Sequence, residues 1–301
     1  MAGSVKIVLA SLLFSLNPLL FRSVDLDPVS LLWCVNLAAS LGLLAKITLE
    51  GRVSGLVRFR KAWGALLALG VFAVVNNTFF ILSIKKTTIA NAMFTHYMAP
   101  VFVAVLGIFV LKEGVTKATL VSLGISLLGL GVLLSPNRLS LENAHFTGLL
   151  FGALSAVFFA LEILMKKVLT NYHDADLIVV RYLFLSLLLM LPYVSFPEIR
   201  AVTVPEIMIL LFCGLITSAL GITLFLSGLR TVKAQEAGII GYTEPLGAIA
   251  WAILFTTETL TTETLLGGIL VIFGTYLTIR SGEPSSPSYQ TRYRIRERTF
   301  R

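Results

Sequence analysis

The chain has 301 residues, 56% of them hydrophobic and 13% charged, with a mean hydropathy of +0.90. Its 24 Lys and Arg and 16 Asp and Glu cannot clothe a water-soluble globule of this size, which excludes an ordinary soluble enzyme, a nucleic-acid reader and a disordered chain. The formal charge of +8 points to an anionic lipid surface, because the cations sit between and after long apolar runs and form no compact basic module.

Crossing the hydrocarbon takes about 20 apolar residues, and ten runs qualify in chain order. The first, 4–22, contains Lys6, is interrupted at Asn17 and Pro18, and lacks a small-residue cleavage site, so it reads as a retained span. The second, 28–49, carries Trp33, Cys34 and Asn36, and the third, 62–84, carries Asn76 and Asn77. The fourth, 88–111, holds His96, Tyr97 and Pro100; the fifth, 117–134, is rich in glycine. Glu162 lies in the sixth, 146–166, and Arg181 in the seventh, 175–195. The eighth, 206–229, contains Cys213, Thr217 and Ser218. The ninth, 234–255, contains Tyr242, Glu244, Pro245 and Trp251, and the tenth is 263–280. Runs such as Val101 to Leu111 are continuously apolar, unlike the alternating strands of a membrane barrel, so the expected fold is all-α and integral to the membrane. Residues 283–301 turn abruptly to Pro, Ser and Arg and read as a disordered basic tail able to lie against acidic headgroups.

The Lys and Arg bias sets the orientation. With the N-terminus inside, eighteen cations fall on cytoplasmic segments, five fall outside and Arg181 lies within a span. An even number of spans then returns the C-terminus to the cytoplasm, giving a multi-pass protein of the plasma (inner) membrane.

Shifting the chain by 145 residues aligns 85–134 with 230–279 without a gap. Identities fall at Ala92 and Ala237, Tyr97 and Tyr242, Pro100 and Pro245, Glu113 and Glu258, Thr116 and Thr261, and Gly129 and Gly274. Matched Pro and Glu are not a product of shared hydrophobicity. Five spans in the first half make the second half enter from the opposite side, so the expected architecture is two inverted five-helix repeats, 1–140 and 141–282, with a substrate site between them near the midplane.

Small residues, a mid-helix proline, then a glutamate, threonines and a glycine-rich helix occur twice in ten spans. In this the chain resembles the EamA group of the drug/metabolite transporter superfamily over residues 4–280, most strongly in the fourth, fifth, ninth and tenth spans. The resemblance implies ten helices in two inverted repeats around a central cavity, and a carrier of small metabolites, commonly an exporter. Where family members often carry an arginine in the second span this chain has LLWCVN, and Arg181 stands in the corresponding seventh span.

An ionisable group in the hydrocarbon is costly, so each one is a candidate site residue. Glu244 lies near the middle of the ninth span, on a strip of small residues that leaves room for a close helix or a ligand. His96, at similar depth, is either a packing residue bonded to a neighbouring helix or a proton relay. Arg181 can clamp a substrate carboxylate, form a fixed pair with Glu162, or reach the interface. Glu162 is a candidate too, with a simpler reading as a surface helix pair with Lys166 four residues on. Tyr97, Tyr242, Asn76, Asn77 and Trp33 complete the candidate substrate-binding set, and Pro18, Pro100 and Pro245 are the candidate kink and gating positions. Glu113 and Glu258 are expected to complement the positive end of the helix that follows each of them, and the glycines of the fifth and tenth spans to let those helices approach. No triad, metal-ligand spacing, Walker sequence or CxxC pair occurs, so no cofactor, metal or enzymatic activity is expected. The expected function is secondary transport of a small polar or zwitterionic, amino-acid-like metabolite by alternating access, in the export direction, with protons as the candidate coupling ion. A lipophilic-cation exporter is the alternative, and a channel or scaffold the alternative of another class.

Overall fold

A computed structural model of the chain describes residues 2–21, 23–57, 63–87, 89–133, 146–170, 175–255 and 262–281. The expected tail at 283–301 lies outside the described residues, as do Glu258 and Thr261. Most of the described residues are helical, and none of them lies in a strand. The N-terminal span is α1 (Ala2–Phe14) and α2 (Asn17–Phe21); α3 is Pro28–Leu49, α4 a short Ser54–Val57 turn and α5 Trp63–Lys86. Then come α6 (Ile89–His96), α7 (Ala99–Val110), α8 (Lys117–Leu133), α9 (Phe146–Leu169) and α10 (Ala175–Met190). A short α11 (Phe196–Ala201) leads to α12 (Val204–Phe212), which runs through a π-helical stretch, Cys213–Leu220, into α13 (Gly221–Leu229). The chain closes with α14 (Ala234–Ile240), α15 (Thr243–Phe255) and α16 (Thr262–Ser281).

Among the described residues, seven stretches are long and apolar enough to cross a membrane: Ala2–Phe21, Pro28–Leu49, Trp63–Ser83, Ala92–Val110, Phe146–Leu169, Ala175–Tyr193 and Val204–Leu229. The fifth and tenth expected spans are the shorter apolar helices Lys117–Val132 and Leu265–Ser281. The ninth expected span is divided into α14 and α15.

The helix breaks have one local cause. Pro18, Pro100 and Pro245 each lie in the first turn of α2, α7 and α15, just after a two-residue turn: Ser15–Leu16, Tyr97–Met98 and Gly241–Tyr242. Proline has no amide hydrogen to give the preceding turn and disfavours helical backbone before it, yet fits a helix start, so each proline ends one helix and begins another. At the second span the stop is sharper. Asp27 caps α3 by accepting the amides of Val29 at 2.9 Å and Ser30 at 3.1 Å, with Pro28 as the first helical residue.

The packing comes in matched pairs. α5 lies along α9 and α1 along α13; α6 and α7 meet α9, while α14 and α15 meet α1. α5 touches α10, while α3 touches the π-helical stretch; α3 with α10, α7 with α14 and α8 with α16 pair directly. Between α8 and α16 the backbones come close: a Cβ on Gly129 would lie 2.8 Å from the Val271 amide nitrogen, and one on Gly274 3.0 Å from the Ser122 carbonyl. Gly124, by contrast, faces open space. The outward faces of these helices expose Leu120, Leu128, Leu266, Ile272 and Phe273, a surface suited to acyl chains and not to water.

Candidate functional site

The two broken helices meet at their breaks. Tyr97 sits between α6 and α7, and Tyr242 between α14 and α15. The buried Tyr242 hydroxyl donates to the Tyr97 carbonyl at 2.8 Å, and the Tyr97 phenol reaches the Glu244 carboxyl. A broken helix frees carbonyls that an intact one would use: the Val101 amide bonds to the Met98 carbonyl at 2.9 Å and not to that of Tyr97, and the Tyr242 hydroxyl takes its place. Glu244 stands in the first turn of α15 with its amide bonded to the Gly241 carbonyl at 2.9 Å. Protein packs around its carboxyl, and the residue as a whole is half-buried.

His96 approaches the same junction from α6. Its Nδ1 lies 2.9 Å from the Ser155 hydroxyl, and Ser155 donates to the Gly152 carbonyl at 2.8 Å. With the single hydroxyl proton so committed, Ser155 accepts and His96 Nδ1 donates, which leaves Nε2 as an acceptor. The ring stacks on Phe159 at 5.0 Å and tilts against Phe80 at 4.4 Å. On the other side, the Trp251 indole donates to Ser15 at 2.8 Å, joining α15 to the break between α1 and α2.

Two polar rungs flank this junction. Thr217, in the π-helical stretch, donates to the Asn17 side-chain carbonyl at 2.6 Å. Asn76 Nδ2 donates to Glu162 Oε2 at 3.2 Å, and Lys166 Nζ donates to Glu162 Oε1 at 2.5 Å. A π-helical turn holds its carbonyls in looser register than an α-helix, and such turns concentrate at functional sites.

Several expected roles move. Glu162 and Lys166 are a buried pair and not a surface helix pair, because Asn76 of α5, Tyr182 of α10 and Phe225 of α13 cover the face of α9 that carries them. Glu162 is therefore matched with Lys166 and Asn76, and the Arg181 guanidinium donates to the Gly55 carbonyl beside α4. Asn77 bonds back to Ala73 in its own helix at 2.8 Å, and the Trp33 indole donates to the Leu187 carbonyl at 3.2 Å, between α3 and α10. Neither approaches Glu244 through these bonds. Glu113 does complement a helix start, but that of α14, accepting the Ala234 amide at 3.0 Å, and not that of α8, which follows it in the chain. Beside it Gln235 donates to the Gly114 carbonyl at 2.9 Å, and Lys167 donates to the carbonyls of Leu229 and Val232. Burial pushes the Glu113 carboxyl above the usual carboxylate range, against the opposing pull of Lys167, the Ala234 amide and Lys233. Lys166, Ser155 and Ser15 were not singled out by sequence; the serines resemble ordinary small packing residues, and Lys166 sits at the edge of its apolar run.

Comparison with known proteins places these contacts in a family. The model of the EamA-like transporter family matches residues 1–135 and again 146–280. An uncharacterized transporter of Archaeoglobus fulgidus is 29% identical over 92% of this chain and 96% of its own length. A pseudopaline exporter of Pseudomonas aeruginosa is 27% identical over 90% of this chain and 93% of its own. A solved crystal structure superposes with a TM-score of 0.78 at 16% identity, covering 91% of this chain and 95% of that one, which speaks for the fold alone. The protein is an integral membrane transporter and belongs to the EamA-like transporter family, within the drug/metabolite transporters.

Proposed function

We propose that the chain is a secondary carrier that exports a small polar or zwitterionic, amino-acid-like metabolite by alternating access between two inverted five-helix repeats, 1–140 and 141–282. The observation that carries this reading is Glu244: a half-buried carboxyl held by the phenol of Tyr97 where two broken helices meet. The double match of the family model supports the repeat, as does the pairing of helix contacts under exchange of the two halves. Asn17 and Glu162 stand at the same offset as Tyr97 and Tyr242, so one member of each polar rung occupies a matched position. One rung lies nearer each membrane face when both termini are cytoplasmic, an orientation the Lys and Arg bias supports. Glu244 recognises the cationic end of the substrate, and His96 Nε2 together with the Tyr97 phenol offers neutral partners at the same junction. Protons are the coupling ion in this scheme, with Glu244 and His96 as the groups that exchange them. A relative named for export of pseudopaline supports the direction.

A second reading, export of a lipophilic cation, is favoured by the rings of Phe80, Tyr97, Phe159, Tyr242 and Trp251 around the junction. Counterflow in proteoliposomes with a panel of amino acids and lipophilic cations separates the two, and saturable exchange separates both from a channel. Glu244→Gln should abolish counterflow of the transported compound, or its pH dependence, while folded yield is retained. Unchanged transport across pH would remove Glu244 from the mechanism.

A further inference from the structure

The buried cluster around Lys166 has the composition of a ligand site already filled by a side chain. Glu162 and Lys166 come from α9, Asn76 from α5, Tyr182 from α10 and Phe225 from α13, and each is more than nine-tenths buried. Lys166 Nζ lies 2.5 Å from Glu162 Oε1, 5.7 Å from the centre of the Tyr182 ring and 5.8 Å from that of Phe225. A carboxylate and two aromatic faces around one nitrogen are how proteins recognise an organic ammonium. The fourth wall points the same way. Asn76 Nδ2 donates to Glu162, and its buried Oδ1 has no hydrogen-bond partner. An orphaned acceptor in such a place costs about 1–3 kcal/mol and calls for a donor. Apart from the lysine and the Asn76 amide, which already donates to Glu162, the box offers a carboxylate, an amide oxygen and two ring faces, so it suits a cation. Stability is a weak reason for the pair, since apolar residues of similar volume often serve a buried position as well or better.

We propose that Glu162, Asn76, Tyr182 and Phe225 form a binding site for a primary ammonium group, and that the Lys166 ammonium is its tethered resident, displaced when the cationic end of a small amine enters. The site is distinct from the Glu244 junction. Its use in a transport cycle rests on the carrier reading, in which the lysine keeps Glu162 neutralised while the unloaded protein reorients; its existence does not. An entering ammonium takes over the Glu162 oxygen and supplies the missing donor to Asn76 Oδ1, while Lys166 swings out on its four-carbon chain.

The test is equilibrium binding of radiolabelled n-propylammonium to the full chain in lipid nanodiscs, with n-propanol as an uncharged control. Saturable binding is expected in the wild type and lost in Glu162→Gln. Lys166→Ala, which removes the resident competitor, should bind roughly tenfold more tightly or better. Absence of saturable binding in the wild type overturns the proposal whatever the variants do. Binding that disappears in Glu244→Gln and persists in Glu162→Gln assigns the amine to the central junction and also overturns it. The readout is binding and not flux, so it fails independently of the carrier reading.

Discussion

The hydroxyl of Tyr242 donates to the backbone carbonyl of Tyr97, a residue at the matching position 145 places earlier, and so ties the break in one helix to the break in the other. The bond is buried and crosses between the two halves of the chain. It holds Tyr97 where its phenol meets Glu244.

Tyr242→Phe keeps the ring and removes that bond, leaving the Tyr97 carbonyl without its donor. The expected loss is about 1–2 kcal/mol, read as lowered thermal stability in detergent, together with weaker counterflow because Tyr97 is no longer pinned beside Glu244. Stability and counterflow both equal to wild type would mean that the bond positions nothing.

The Glu162 and Lys166 pair should show strong coupling. Removing one charge strands the other in a buried site, so Glu162→Gln is expected to cost about 3–5 kcal/mol, whereas Glu162→Gln combined with Lys166→Met should recover much of the loss. Denaturant unfolding of the two single variants and the double variant measures the coupling. Additive losses would show that the charges do not sense each other.

At the loop after α7, the folded state raises the Glu113 carboxyl, chiefly by burial, among Lys167, Lys233 and Glu236. A carboxyl that holds its proton more tightly when folded makes the unfolded state bind fewer protons. Stability should therefore fall as pH climbs from the ordinary glutamate range through the raised one. Thermal unfolding of wild type and Glu113→Gln across that window is expected to diverge in this sense, with the variant flatter. A wild-type curve that rises relative to the variant reverses the sign and contradicts the burial account.

Gly129 lies against the backbone of α16, and Gly124 faces open space on the same helix. Gly129→Val should force α8 and α16 apart at a cost of about 1–3 kcal/mol or more, while Gly124→Val should be tolerated. Comparable thermal shifts for the two variants would mean that close approach at Gly129 contributes nothing special.

Hydropathy belongs to consecutive residues, so the membrane, the apolar helices and the all-α class were legible along the chain, as were the helix breaks at Pro18, Pro100 and Pro245, where a missing amide acts locally. The alignment of Tyr97 with Tyr242 was legible too, since a repeat is a relation between strings. Partnership was not. Glu162 and Lys166 four residues apart look the same on a solvated helix and on a buried one, and only the packing of α5, α10 and α13 against that face of α9 decides between them. Arg181 is likewise drawn to the Gly55 carbonyl by a loop more than a hundred residues earlier, and Glu113 to the start of α14 and not to the helix that follows it. Contacts between distant segments depend on which helix faces stack together, and that is set by the shape of the whole bundle, which no window of sequence contains.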